Sequence, residues 1–195
     1  MSKSVPLLLE TIKIEDGAVF NLEYHQKRCN KSRVKLYQSH DILDLSKLLS
    51  PPQKGLYRCR IVYAQSIKSI EYIPYAPKKI TQLSVVPATI SYDLKYANRD
   101  ALDTLLAKHP TADEVIIEKD GYLTDTTFSN IAFFDGEKWD TPLHPLLHGT
   151  MRQKLLDEGV LHEKMIKKED LKRYRNVALI NAMLGFKILN DFTID

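Results

Sequence analysis

The chain has 195 residues, 44% hydrophobic and 27% charged, a balance that lets one large domain or two small ones bury a core. Its net charge of +3 comes without a long Lys/Arg block, so nucleic acid is not an expected partner. No apolar run approaches membrane-spanning length, and a membrane partner is not expected either.

Met1-Ser2-Lys3-Ser4-Val5 lacks a signal-peptide core, so the expected location is cytoplasmic. The two cysteines, Cys29 and Cys59, form no CxxC pair and are expected to be reduced. The six histidines are scattered without ligand spacing, and no metal site is expected.

Leu7 to Ile14 alternates as a strand, Glu15-Asp16-Gly17 is a hairpin turn, and Ala18 to Leu22 returns as its partner. Asn21 is placed to cap a helix running through His25 and Arg28 to about Tyr37. A second short helix is expected from Ile42 to Leu49, stopped by Pro51-Pro52. Strands follow at Leu56 to Ala64, Ile67 to Tyr75 and Ile80 to Pro87, closing a small α+β lobe over residues 1–87. Ser91 to Asn98 is a connection. In the larger α+β lobe, residues 88–195, Asp100 to Lys108 is a helix and Glu114 to Glu118 a strand. Asp120-Gly121 is a tight turn, and the hydroxyls around Asp125 make Thr124 to Thr127 a polar turn. Ser129 to Phe134 is a strand, Gly149 to Asp157 a helix, and Lys168 to Arg173 a short helix. Val177 to Asn181 and Phe186 to Leu189 close the sheet.

Four segments could carry chemistry. Lys95 lies in the polar connection; as a nucleophile it must act as a neutral amine, and by default a loop lysine is solvated. Asp125 could hold a proton on a ring nitrogen, or simply stabilise a turn. Gly149-Thr150-Met151-Arg152 opens a helix whose amides could meet an anion. Arg28 could bind phosphate in fork geometry, although beside Lys27, Lys31, Arg33 and Lys35 it is by default one solvated charge among several. Arg58 and Arg60 alternate on one strand face, lining an anionic pocket or facing water.

In order, these segments resemble the class IV aminotransferase family, the pyridoxal-phosphate enzymes of fold type IV, over about residues 8–190. Leu9-Glu10-Thr11 with Asp16-Gly17 is similar to the family's Phe-Glu-Thr strand and turn, and His25-Gln26-Lys27-Arg28 to its His-x-x-Arg helix. The resemblance implies an α+β, two-lobed D-amino-acid-aminotransferase-like fold with a shortened N-terminal lobe. It implies pyridoxal 5'-phosphate on Lys95 as Schiff-base lysine, with Arg28 on the phosphate and Asp125, in place of the usual Glu, on the pyridine nitrogen. Gly149, Thr150 and Met151 match the phosphate cup, and Arg99, Phe128, Ala182 and Met183 complete the implied cofactor contacts. Thr11, Arg58 and Arg60 are the implied substrate side.

Within the family, Lys95-x-x-Asn98-Arg99, Gly149-x-Met151-Arg152-Gln153 and Asn181-Ala182 look most like aminodeoxychorismate lyases. Those enzymes form 4-aminobenzoate and pyruvate from 4-amino-4-deoxychorismate. An aminotransferase for a small branched-chain or D-amino acid is the alternative, and a non-catalytic cofactor-binding protein the third reading. The expected partners are a small-molecule substrate and a second copy in a homodimer.

Overall fold

A computed structural model describes residues 5–195. Two compact units divide the chain: the first runs to Pro77 and takes Leu94–Asn98 as well, the second takes Lys78–Asp93 and Arg99–Asp195.

The first unit contains β1 (Leu8–Glu15), β2 (Ala18–Val19), α1 (Leu22–Tyr37), a 3-10 turn at Leu45–Lys47, β3 (Leu56–Tyr63) and β4 (Ile67–Pro74). Its sheet is antiparallel, in the order β2-β1-β3-β4. The hairpin from β1 to β2 turns on Asp16 and Gly17 at φ 47° and 82°. Two successive left-handed residues match the right-handed twist of the strands they join. Strand alternation puts Leu8, Glu10, Ile12 and Ile14 on one face, and the three apolar members meet Cys59, Ile61 and Tyr63 of β3 with Cys29 and Leu45. The helix α1 is unusual in burying a polar stripe of His25, Cys29, Ser32 and Arg33.

Arg33 explains how such a stripe is tolerated. It is 1% exposed, and its guanidinium donates to the carbonyls of Gln65 and Asp41 and to the Asp41 carboxylate at 2.8 and 3.0 Å. A planar fork of five N–H donors can satisfy all of these at once, where an ammonium could not.

The second unit contains β5 (Gln82–Pro87), α2 (Asp100–Ala107), β6 (Glu114–Lys119), β7 (Tyr122–Thr126), β8 (Asn130–Phe134) and β9 (Trp139–Pro142). There follow α3 (Thr150–Asp157), β10 (Leu161–Lys164), a 3-10 helix at Lys168–Arg173, β11 (Asn176–Asn181), β12 (Gly185–Leu189) and β13 (Thr193–Ile194). Two sheets form, β13-β5-β6-β7 and β10-β9-β8-β11-β12. Leu83, Ile116 and Leu123 from the first meet Ile131, Phe133, Val177 and Leu179 from the second in one core. On its other face the five-stranded sheet packs Ala132 and Ile180 against Leu155 of α3 and Leu161.

Four expectations are corrected. The boundary at 87/88 moves, because β5 pairs in parallel with β6 and so belongs to the second unit, while Leu94–Asn98 returns to the first. Asn21 does not cap α1 with its side chain; it sits at φ 52°, and its carbonyl accepts from Tyr24 and His25. The helix expected from Ile42 to Leu49 is a 3-10 turn over Leu45–Lys47 alone, with Asp44 capping Ser46. Thr124 to Thr126 is strand, not turn: Thr124 Oγ1 donates to Ile117 O and Thr126 Oγ1 to Ser129 O, so the hydroxyls are buried at little cost. Among the described residues, no helix is long and apolar enough to cross a membrane.

Candidate active site

In the first unit, Lys95 rides on backbone that β1 holds. Leu9 N donates to Lys95 O and Ala97 N to Leu7 O, both at 2.8 Å, and Leu8 bridges Tyr96. The flanking Leu94 and Tyr96 belong to the unit's core, while Lys95 itself is half-buried. A lysine anchored on both sides by packed neighbours is no longer a solvated loop residue.

Near it lies a buried polar group. Glu10 is fully buried, and its oxygens accept from Arg28 Nε at 2.9 Å, Arg28 Nη2 at 2.6 Å and His25 Nδ1 at 2.6 Å. Burial alone would raise the Glu10 carboxyl, but the Arg28 charge and the bonds from His25 and Arg28 hold it at about 2. Burial also pushes His25 below its usual 6.5, more than Glu10 can raise it, and Arg28 and Lys95 add charge repulsion. The two residues are therefore a carboxylate and a neutral imidazole. Since Glu10 can only accept, the proton lies on Nδ1 and Nε2 carries the lone pair.

Thr11, Arg58 and Arg60 share the opposite face of the sheet: Thr11 lies across from Arg60, and Lys13 across from Arg58. Arg60 pairs with Glu71 at 3.0 Å, whereas Arg58 Nε is buried without a hydrogen-bond partner. The three residues implied for the substrate side are thus together, on the face away from Glu10, His25 and Arg28.

In the second unit, Asp125 is 4% exposed on β7. Its Oδ1 accepts from Asn130 Nδ2 at 2.8 Å and its Oδ2 from Leu147 N at 2.9 Å. Burial nevertheless pushes it up to about 7. A carboxylate offers about four lone-pair sites, so acceptor capacity remains for a ring N–H. Gly149 is the N-cap of α3, followed by Thr150 and Met151 in its first turn. Arg152 is 1% exposed and bonds Pro142 O and Glu163, each at 2.8 Å, so it braces α3 against β9 and β10 rather than facing a ligand.

Arg99 donates to Thr127 O at 2.8 Å, and Phe128 packs against the core of this unit. Asn181 Oδ1 accepts from Met183 N at 2.9 Å and Leu184 N at 2.8 Å, which shapes the turn carrying Ala182 and Met183. Glu114 was missed. It is 2% exposed, accepts from the Thr127 amide and hydroxyl, and is lifted above the usual carboxylate range by burial. Glu10 as the centre of the first unit's polar group was missed too. Its signal was a charged residue on the apolar parity of a strand, where only a paired carboxylate survives burial.

A family model for class IV amino-transferases matches residues 7–188. The chain belongs to the class IV aminotransferase family. This is a family of pyridoxal-phosphate enzymes, as the resemblance implied. Two curated relatives match, to different extents. One from Haemophilus influenzae, named "Uncharacterized protein", is 39% identical over 91% of this chain and 98% of its own. A "putative aminodeoxychorismate lyase" of Schizosaccharomyces pombe is 31% identical over 63% of this chain and 56% of its own. Among solved structures, a "putative 4-amino-4-deoxychorismate lyase" from Haemophilus somnus 129pt is 36% identical with a TM-score of 0.86, covering 94% of this chain and all (100%) of that one. The PLP-bound form of "a hypothetical aminotransferase" from Mycobacterium tuberculosis, 17% identical over 98% of this chain and 82% of its own with a TM-score of 0.77, shares the fold. The two-lobed fold type IV expectation therefore stands.

The residues present fit pyridoxal phosphate by the chemistry of their donor set. The first unit has a lysine on held backbone and an arginine whose fork Glu10 orients; the second has a buried acceptor in Asp125 and helix amides beginning at a glycine. Among the described residues, no group of three or more His, Cys, Asp or Glu could hold a metal ion.

Proposed function

We propose that the chain is a pyridoxal-phosphate-dependent aminodeoxychorismate lyase, releasing pyruvate from 4-amino-4-deoxychorismate to leave 4-aminobenzoate, a folate precursor. The observation that carries this reading is the likeness to the Haemophilus somnus protein over 100% of its length at 36% identity. Bound pyridoxal phosphate would supply an electron sink for the carbanion formed next to the substrate amine. Lys95 Nζ holds the cofactor and moves the proton on the carbon bearing that amine. Asp125 keeps the ring nitrogen protonated, while Arg28, Thr150 and Met151 hold the phosphate. Glu10 fixes the direction of the Arg28 fork through paired bonds at 2.9 and 2.6 Å. Arg99, Phe128, Ala182 and Met183 belong to the same proposed cofactor set. A cytoplasmic location and a homodimer complete the proposal, the latter tested by sedimentation.

An aminotransferase is the second reading, favoured by membership of the class IV aminotransferase family. The deciding experiment mixes purified, cofactor-loaded protein with aminodeoxychorismate and follows 4-aminobenzoate. Its absence, together with conversion of the cofactor to the pyridoxamine form by an amino acid donor, favours the transaminase. Protein that stays colourless with added cofactor, and shows no adduct on Lys95 after hydride reduction, refutes both.

A further inference from the structure

We propose that Asn130 is a positioning residue that locks Asp125 to the start of α3, and that residue 149 is glycine because the Asn130 amide occupies the space of its side chain. The role toward cofactor rests on the pyridoxal-phosphate reading; the contact itself does not.

Asn130 is 5% exposed and opens β8, where its backbone lies opposite Ile180 of β11. Its amide nitrogen donates to Asp125 Oδ1 and to Leu147 O, both at 2.8 Å. Leu147 N closes the loop by donating to Asp125 Oδ2 at 2.9 Å. The carboxylate, the Asn130 amide and the backbone of one residue, Leu147, thus form a ring of hydrogen bonds in which each member fixes the other two. Leu147 lies just before Gly149, the N-cap of α3.

Gly149 has φ −70° and ψ 143°, extended backbone that any residue adopts. Its glycine is not required by conformation. It is required by space: a Cβ at 149 would lie 2.0 Å from Asn130 Oδ1 and 3.1 Å from its Cγ. Asn130 could yield only by breaking its bonds to Asp125 and Leu147. This differs from the sequence reading, in which the glycine admits an anion to the helix amides. Catalytic groups need placement to about 0.5 Å, and a side chain at 149 would exceed that displacement.

The two explanations of Gly149 separate in a double-mutant cycle of Gly149→Ala and Asn130→Ala, read as the thermal midpoint of cofactor-free protein and as pyridoxal phosphate affinity. Gly149→Ala alone is expected to lower the midpoint and weaken cofactor binding at least about tenfold, a factor tenfold per 1.4 kcal/mol. In the Asn130→Ala background the same substitution should change affinity by less than about twofold. An equal loss in both backgrounds overturns the proposal, because Gly149 then answers to the ligand. Asn130→Asp keeps the shape but faces Asp125 with a second carboxylate; cofactor binding should weaken and its pH dependence move upward. If Asn130→Ala and Asn130→Asp lower only the thermal midpoint, leaving affinity and pH dependence at wild-type values, the positioning role is refuted. Wild-type protein that binds no pyridoxal phosphate refutes the cofactor reading instead, and the thermal arm still decides the contact.

Discussion

Glu10→Gln tests the buried polar group of the first unit. The wild-type carboxyl is held at about 2 against an ordinary 4.5. At about 1.4 kcal/mol for each pKa unit, that gap makes the ionised form worth on the order of 3 kcal/mol to folding at neutral pH. The sign follows from the direction. A depressed carboxyl stabilises the fold above 4.5, and the contribution is lost as pH falls through about 2. Glutamine keeps one acceptor, but its NH₂ opposes a donor of Arg28 or His25, so it does not replace the charge. Removing one partner of a buried pair costs about 3–5 kcal/mol in general, which agrees with this figure. Urea denaturation of both proteins, followed by circular dichroism at pH 7 and pH 3, measures the difference. The stability gap is expected to be on the order of 3 kcal/mol at pH 7 and to shrink by roughly 2 kcal/mol at pH 3. A gap below about 1 kcal/mol, or one that does not change with pH, would show that Glu10 is not the ionised centre of the group.

Asp125→Asn should show the opposite pH trend: the wild-type group is raised from 3.8 to about 7, so its stabilising influence is present at low pH and lost as pH rises through 7. The wild-type advantage over this variant, measured by urea denaturation, should be larger at pH 5 than at pH 8, and a flat difference contradicts the assignment. Arg33→Lys cannot reach Gln65 and Asp41 together, and a loss of about 2–4 kcal/mol with faster amide exchange around Gln65 is expected; a change under about 0.5 kcal/mol contradicts it. Phe133→Ala opens a cavity in the core of the second unit, where the ring is 0% exposed and lies 5.4 Å from Tyr174, and should cost about 3–5 kcal/mol in chemical denaturation. A loss of less than about 1 kcal/mol would mean that the two sheets close over the gap.

The strands that alternate cleanly were legible: Leu8, Ile12 and Ile14 announce β1, and the bulkier apolar runs announce β3, β6, β8 and β11. β7 was not, since Thr124-Asp125-Thr126 has the composition of a turn and only tertiary partners such as Ile117 O and Ser129 O make it a strand. The short strands β9 and β10 carry too few residues for a period to appear, and their pairing depends on α3 folding between them in the chain. Asn21 satisfied the composition of a cap but took a left-handed backbone, which turns its carbonyl rather than its side chain toward α1. For the candidate site, ordered segments pointed to Lys95, Arg28, Asp125 and Gly149. What they did not disclose is which contacts hold Arg28 and Asp125, because Glu10 reaches Arg28, and Leu147 reaches Asp125 and Asn130, across 17 to 22 residues of chain.

The distribution of rare residues gives each unit its own reporter. Both cysteines, Cys29 and Cys59, sit at 0% exposure in the core of the first unit, with burial pushing their thiols up to about 12 and about 11. They are poor nucleophiles until that core opens, so the rate of thiol labelling times its opening. The single tryptophan, Trp139, lies in the second unit between Phe134 at 5.2 Å and Phe186 at 4.9 Å. Its fluorescence follows that unit alone. Without any introduced label, the two halves of this chain can be watched unfolding on separate channels, and whether they melt together or in sequence becomes a direct measurement.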